Sequence, residues 1–225
     1  MLVVTLMSAV MLILRAAPAL ALGKQYEVRK IAAGTFVWIP DDIMDQHGDP
    51  RFSRAANAGF IITDQGVVVV DTTNSPFHAR ELLYEIRQRT AVPVTLTIDT
   101  GAGGDEMLGN EVFADRRSTI LSTAVAAGQM RLYEQQLARR LPLEPELPYH
   151  MRGIHFTLPD RTFQGEMSFT VGGRQIQIVS LPCAPRGVNG GDAAVFLPQV
   201  KVAFLGGLYV NGYVPRIDSR DIQRW

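Results

Sequence analysis

Four consecutive valines, Val67–Val70, constrain this chain more than any other stretch. A strand with one wet face alternates apolar and polar residues. An unbroken valine run predicts a strand covered on both faces, as in sheets that carry helices. The run follows Gly59–Thr63, another short apolar stretch, across Asp64-Gln65-Gly66, so the two read as strands joined by a tight turn. Ser75-Pro76 then opens a helix in the favoured order, cap residue followed by proline at the first helical position. Leu82, Leu83 and Ile86 form its inner stripe, and Arg87 and Arg89 fall in its last turn, where the helix dipole favours cations. After Pro93, Val94–Ile98 resumes as a strand. Strand, helix and strand in this order predict a partly parallel sheet.

Thr35–Trp38 reads as an earlier strand, Asp105–Ala114 as a second helix, Thr119–Leu121 as a strand and Ser122–Leu141 as a long helix. Pro142, Pro145 and Pro148 then make an irregular loop. The second half differs in kind. Met167–Val171 and Arg174–Leu181 flank Gly172-Gly173 as a hairpin, and Asp192–Leu197 and Val200–Leu205 flank Pro198-Gln199 as another. The chain therefore predicts two packed sheets with helices outside, an α/β sandwich.

Composition narrows the partners. With 22 basic and 22 acidic residues, the 225-residue chain has no net charge and no field of one sign to hold a nucleic acid. Its 47% hydrophobic content excludes a disordered chain. One cysteine, Cys183, makes no internal disulfide, and one cysteine with four histidines makes no zinc finger. Residues 1–14 are apolar except for Thr5 and Ser8, too short a run to span a bilayer comfortably, and Ala19-Leu20-Ala21 supplies a small-x-small cleavage pattern. Residues 1–21 are thus expected to be a signal peptide, with the mature domain at 22–225 in the periplasm or secreted. Any membrane contact would come through this segment left uncleaved.

The stretches NAGFIITDQGVVVVDT (Asn57–Thr72), SPFHARELLYEIR (Ser75–Arg87), VTLTIDT (Val94–Thr100), MLGNEVFA (Met107–Ala114), GGDAAVFLP (Gly190–Pro198) and KVAFLGGLYVNGYVP (Lys201–Pro215) resemble, in order and spacing, the metallo-β-lactamase superfamily. The resemblance implies an αββα sandwich of two mixed sheets with outer helices, and an ancestry among zinc-dependent hydrolases. It also implies that the chain stops before the family's last helix and strand, with Ser219–Trp225 the first turns of that helix.

In that family the strand placed here at Val94–Ile98 leads into Thr-His-x-His-x-Asp-His. Zinc needs neutral imidazoles and a carboxylate, with one position open for an acidified water. This chain reads Thr100-Gly101-Ala102-Gly103-Gly104-Asp105-Glu106. Gly101 and Gly103 stand at the first two histidine positions, Asp105 is retained, and Glu106 stands at the third. Val188 stands at the next histidine and Gly207 at the bridging aspartate. Neither glycine nor valine has a donating side chain. Asp105 and Glu106 together furnish at most part of a hard-cation site, which suits calcium or magnesium rather than zinc. The local alternative is that Asp105 caps a helix with Glu106 in its first turn.

The remaining candidates are weaker. His47 sits in a polar loop and His78 in the first turn of a helix, both expected in solvent. His150 and His155 flank MRGI without a third ligand nearby. Asp71 matches a family aspartate that braces the active-site loop and is read as structural. Cys183 has no histidine to activate it, and the glycines at 101, 103 and 104 lack the lysine and hydroxyl of a phosphate loop. Two functions remain. The first is a non-catalytic or decayed relative, without cofactor, in which Asp105 is a vestige of the catalytic set. The second is an active hydrolase of esters, amides or thioesters with an altered metal site, whose partner would be a small-molecule substrate.

Overall fold

The computed structural model describes residues 26–41, 56–140, 154–181 and 191–209. The expected signal peptide, His47, His150, the proline loop, Cys183, Val188 and Ser219–Trp225 lie outside the described residues.

Eleven strands are described. A seven-stranded sheet contains β1 (Tyr26–Ala32), β2 (Thr35–Pro40), β3 (Ala58–Ile62), β4 (Val67–Val70), β5 (Val94–Ile98), β6 (Thr119–Thr123) and β7 (Arg161–Phe163), in that spatial order. Pairing is antiparallel from β1 to β4 and parallel from β4 to β7. A four-stranded antiparallel sheet holds β8 (Glu166–Val171), β9 (Arg174–Ser180), β10 (Ala193–Leu197) and β11 (Val202–Phe204). The helices are α1 (Pro76–Arg87), α2 (Gly104–Met107), α3 (Asn110–Ala114) and α4 (Ala124–Arg140).

The valine run explains the layering. Val67 and Val69 pack with Phe60, Leu82, Leu83 and Ile86, so one face of the large sheet is covered by α1. Val68 and Val70 point the other way and join Ile61, Ile98 and Leu121 against Ile176, Ile178, Ala193, Val195 and Leu197 of the small sheet. All four valines are buried, and burying each contributes roughly 1.5–3 kcal/mol. A third cluster joins α2 to α4 through Met107, Leu108, Ala126, Met130 and Leu137.

Helix α1 starts as its sequence dictates. Ser75 Oγ accepts from the His78 N–H at 3.3 Å, and Pro76 follows it. It ends at Arg87, so Arg89 lies past its end, where Nη1 donates to Glu85 Oε2 at 2.5 Å and to the Glu85 carbonyl at 2.7 Å. Tyr26 OH donates to the other Glu85 oxygen at 3.0 Å, tying β1 to α1. Burial and that carboxylate push the tyrosine upward, and burial next to Glu85 pushes Glu81 up to about 7.

Three expectations change. The helix expected over Asp105–Ala114 is two short helices, α2 and α3, separated by Leu108-Gly109. Helix α4 begins at Ala124 rather than Ser122, because Thr123 first pairs with Phe163 in the β6–β7 ladder. The Thr123 hydroxyl then accepts from the Ala126 N–H at 2.9 Å, as a cap does. The last hairpin has a longer connection than expected. A 3-10 turn at Pro198–Val200 ends on left-handed Lys201, so β11 starts only at Val202. None of the described helices is long and apolar enough to cross a membrane.

Candidate functional site

The carboxyl ends of β4 and β5 meet the loops that lead into and out of the small sheet. Between β4 and α1, Asp71–Ser75 is buried throughout, and Asp71 (φ 62°) and Thr73 (φ 71°) are left-handed. A β-branched residue there is a steric outlier, and strain of this kind costs about 1–3 kcal/mol per residue. The surroundings hold the segment in place. Asp71 Oδ1 accepts from the Thr100 N–H at 2.8 Å, and the Thr100 hydroxyl donates to Oδ2 at 2.8 Å. The Thr72 N–H donates to the Glu106 carbonyl at 2.7 Å. Asp71 thus braces the β5–α2 loop from beneath, as its sequence position implied.

Asp71 is fully buried, and burial pushes it up to about 7. The Thr100 hydrogen bonds oppose that rise, and the charges of Asp105 and Asp192 add to it. Asp99, at the end of β5, rises well above the usual carboxylate range for the same first reason. Its Oδ2 accepts from Asn110 Nδ2 at 2.8 Å, while Oδ1 has no hydrogen-bond partner among the described residues. Asn110 in turn receives the Thr72 hydroxyl at 2.8 Å. Reading the sequence passed over Asp99, Asn110 and Asp192. The only signal for Asp99 was an ionisable residue closing an otherwise uncharged strand.

Asp105 does not cap α2. Gly103 is the cap residue, Asp105 follows one residue inside the helix, and Glu106 occupies its third position. The reason lies in Glu106, whose buried side chain turns back so that Oε2 accepts from the Gly103 N–H at 2.8 Å. Its Oε1 accepts from the Gly207 N–H at 3.1 Å, across 101 residues. A Cβ built on Gly101 would lie 2.5 Å from Glu106 Oε2 and 3.0 Å from Asp192 Oδ1, and one on Gly207 would lie 3.1 Å from Glu106 Oε1. The structure thus brings Gly101, Gly103 and Gly207 together around one carboxylate.

The remaining candidates lie elsewhere. His78 is not out in solvent as expected. Its ring is half-buried beside Trp38, 5.8 Å between centroids, with Nδ1 2.7 Å from Asn74 Oδ1, which makes Nδ1 the donor. His155 is exposed, and its backbone N–H donates to Glu111 Oε2 at 2.7 Å.

This arrangement does not fit a zinc ion. Gly103 and Gly207 offer backbone N–H groups, which are donors, where a cation needs lone pairs, and Gly101 offers no side chain. Both oxygens of Glu106 already accept from backbone. Among the described residues no group of three or more histidine, cysteine, aspartate or glutamate side chains is placed to hold a metal. The chemistry available is that of buried acids held above the usual carboxylate range and a carboxylate satisfied by amides.

No family model matches the chain, and no curated protein matches it. Solved structures do. A metallo-beta-lactamase from Pontibacter korlensis is 20% identical with a TM-score of 0.55, over 78% of this chain and 68% of its own. TMB-1 is 18% identical with a TM-score of 0.55, over 81% of this chain and 70% of its own. The metallo-beta-lactamase IND-7 is 15% identical with a TM-score of 0.56, over 79% and 68%. At so low an identity the likeness is one of fold, and the chain has the metallo-β-lactamase fold.

Proposed function

We propose that this chain is a non-catalytic relative of the zinc hydrolases that share its fold, in which the reaction centre has become a hydrogen-bonded junction between loops. One observation carries the reading. The Glu106 carboxylate lies where a side chain at Gly101 would begin, and its two oxygens accept from the amides of Gly103 and Gly207. A ligand set rebuilt here would have to displace a buried, satisfied carboxylate as well as regain its donors. Leaving such a group unsatisfied costs about 1–3 kcal/mol or more.

The test is metal analysis of the purified protein together with assays on ester, lactam and thioester substrates. The expected result is zinc far below one ion per chain and no hydrolysis that a chelator abolishes. Stoichiometric zinc with chelator-sensitive turnover would establish the opposite reading, an active hydrolase with an altered metal site.

Export belongs to the same proposal, on the apolar run and the Ala19-Leu20-Ala21 pattern. Protein recovered from cells should begin near Leu22 on N-terminal sequencing. An intact Met1 on soluble cytoplasmic protein would remove export from the reading.

A further inference from the structure

The two sheets of this fold are joined by apolar packing over most of their area and by polar contacts at both ends: Arg174 Nη2 donates to the Ala33 carbonyl at 2.9 Å at one, and further contacts close the other. There the Ala193 N–H donates to the Thr100 carbonyl at 2.7 Å, and the Thr123 hydroxyl donates to the Gly191 carbonyl at 2.6 Å. The third tie is Glu106, which reaches from α2, beside the large sheet, to Gly207 in the 3-10 turn just past β11 of the small one. It is made by an ionisable side chain with both oxygens engaged by backbone amides. Charge-assisted bonds of this kind are about twice as strong as neutral ones.

The glycines around it raise a separate question. Neither Gly101 nor Gly207 has a positive φ, so the backbone at these positions is open to any L-residue. What excludes a side chain at Gly101 is the Glu106 oxygen 2.5 Å from the Cβ position, and at Gly207 the other oxygen at 3.1 Å. The obstacle in each case is a carboxylate, not a neighbouring strand. If Glu106 were absent, the obstruction at Gly207 would be gone, and at Gly101 the Asp192 carboxylate would remain 3.0 Å away.

We propose that Glu106 is a positioning residue that clasps the turn after β11 to the β5–α2 loop, and that Gly101 and Gly207 are glycines because this clasp fills their side-chain space. The unit is interlocked. A side chain at Gly101 expels the carboxylate, and an expelled carboxylate frees the Gly207 amide and loosens the small sheet's end from the large one. A buried, unmade hydrogen bond costs about 1–3 kcal/mol, so breaking the clasp should raise the unfolding equilibrium constant roughly tenfold to a hundredfold, at 1.4 kcal/mol per factor of ten.

The test is a double-mutant cycle in the full chain, read by urea unfolding, with amide exchange of the peptide containing Gly207 as the local readout. Gly101→Ala and Glu106→Ala should each cost a loss of that size and each speed exchange at Gly207. In the Glu106→Ala background, Gly101→Ala should cost little more. The non-additivity is the signature, because a glycine needed for any other reason would cost the same in both backgrounds. Should Glu106→Ala fail to fold, Glu106→Gln serves. Its amide keeps one acceptor and turns a donor toward one of the two N–H groups, so it should be intermediate in stability and still weaken the effect of Gly101→Ala. Equal cost of Gly101→Ala with and without the carboxylate, or unchanged exchange at Gly207 in Glu106→Ala, would overturn the clasp. None of these measurements depends on catalysis or metal, so the clasp and the non-catalytic reading can fail separately.

Discussion

Raising the pH from about 5 to about 8 should destabilise this protein by a few kcal/mol, and Asp71→Asn should remove the share of that loss that Asp71 carries. Asp71 titrates near 7 in the folded chain, pushed up first by burial, and near 3.9 when unfolded. The folded state therefore holds a proton that the unfolded state has given up. The stabilisation is complete below about pH 4 and drains away as the pH climbs through 7. Asp99 is shifted in the same direction and adds to the slope. The groups facing Asp71 all bear on the sign: Asp105 and Asp192 raise it by their charge, and Thr100 opposes them through its amide and hydroxyl. Asparagine is the right replacement, since it tolerates the left-handed backbone at φ 62° and keeps an oxygen for the Thr100 amide. Urea midpoints at several pH values decide the matter. The variant should equal or trail the wild type near pH 5 and surpass it near pH 8. Parallel stability curves would mean that Asp71 is charged in the fold.

A single methyl group should do comparable damage at Gly109. This residue separates α2 from α3, and a Cβ there would fall 2.1 Å from the Thr72 carbonyl oxygen and 2.5 Å from the Ala79 Cβ. Neither neighbour can swing aside. One is backbone in the strained segment after β4, and the other belongs to α1. Gly109→Ala should therefore cost roughly 3 kcal/mol, the upper part of the usual overpacking range. Gly128→Ala is the internal control. It lies within α4 with no atom near its Cβ position, so the same substitution should stabilise by about 0.5–1 kcal/mol. Chemical denaturation of the two variants beside the wild type gives both numbers. A Gly109→Ala protein as stable as its parent would mean that Gly109 does not approach Thr72 and α1 so closely.

Gly109 also shows where the sequence stopped being readable. Its segment, MLGNEVFA, has the residues of one continuous helix, and nothing local announces that α1 and the Thr72 backbone will press against its middle. The covered strand at Val67–Val70 was legible because the evidence lies in four adjacent residues, and α1 was legible because Ser75-Pro76 marks its start. β1 escaped notice for the opposite reason. YEVRKIA carries charges, sits at a sheet edge and buries little beyond Tyr26. β7, three residues long, is a strand only because β6 lies beside it. At the site, that Gly101, Gly103 and Gly207 offer no side-chain donor could be read from the residues themselves. What fills the space between them could not, because Glu106 and Gly207 are far apart in the chain and glutamate in a first helical turn is unremarkable. Asp105 was expected to be the cap, and the neighbouring carboxylate turned back to Gly103 instead.

Every strand of the large sheet pairs with the strand that precedes it in the chain, from β1 to β7, and β8 to β11 do the same in the small one. Such an order lets each sheet grow at one edge as the polypeptide leaves the ribosome, with no strand inserted between two that have already formed. It also fixes an interval of vulnerability during synthesis. The inward face of the first sheet, with Ile61, Val68, Val70, Ile98 and Leu121, is complete before the residues that cover it, Ile176, Ile178, Val195 and Leu197, have been made. At about 5–20 residues per second, that apolar face is bare for several seconds. This is when a nascent chain of this topology is most exposed to aggregation and most in need of a chaperone.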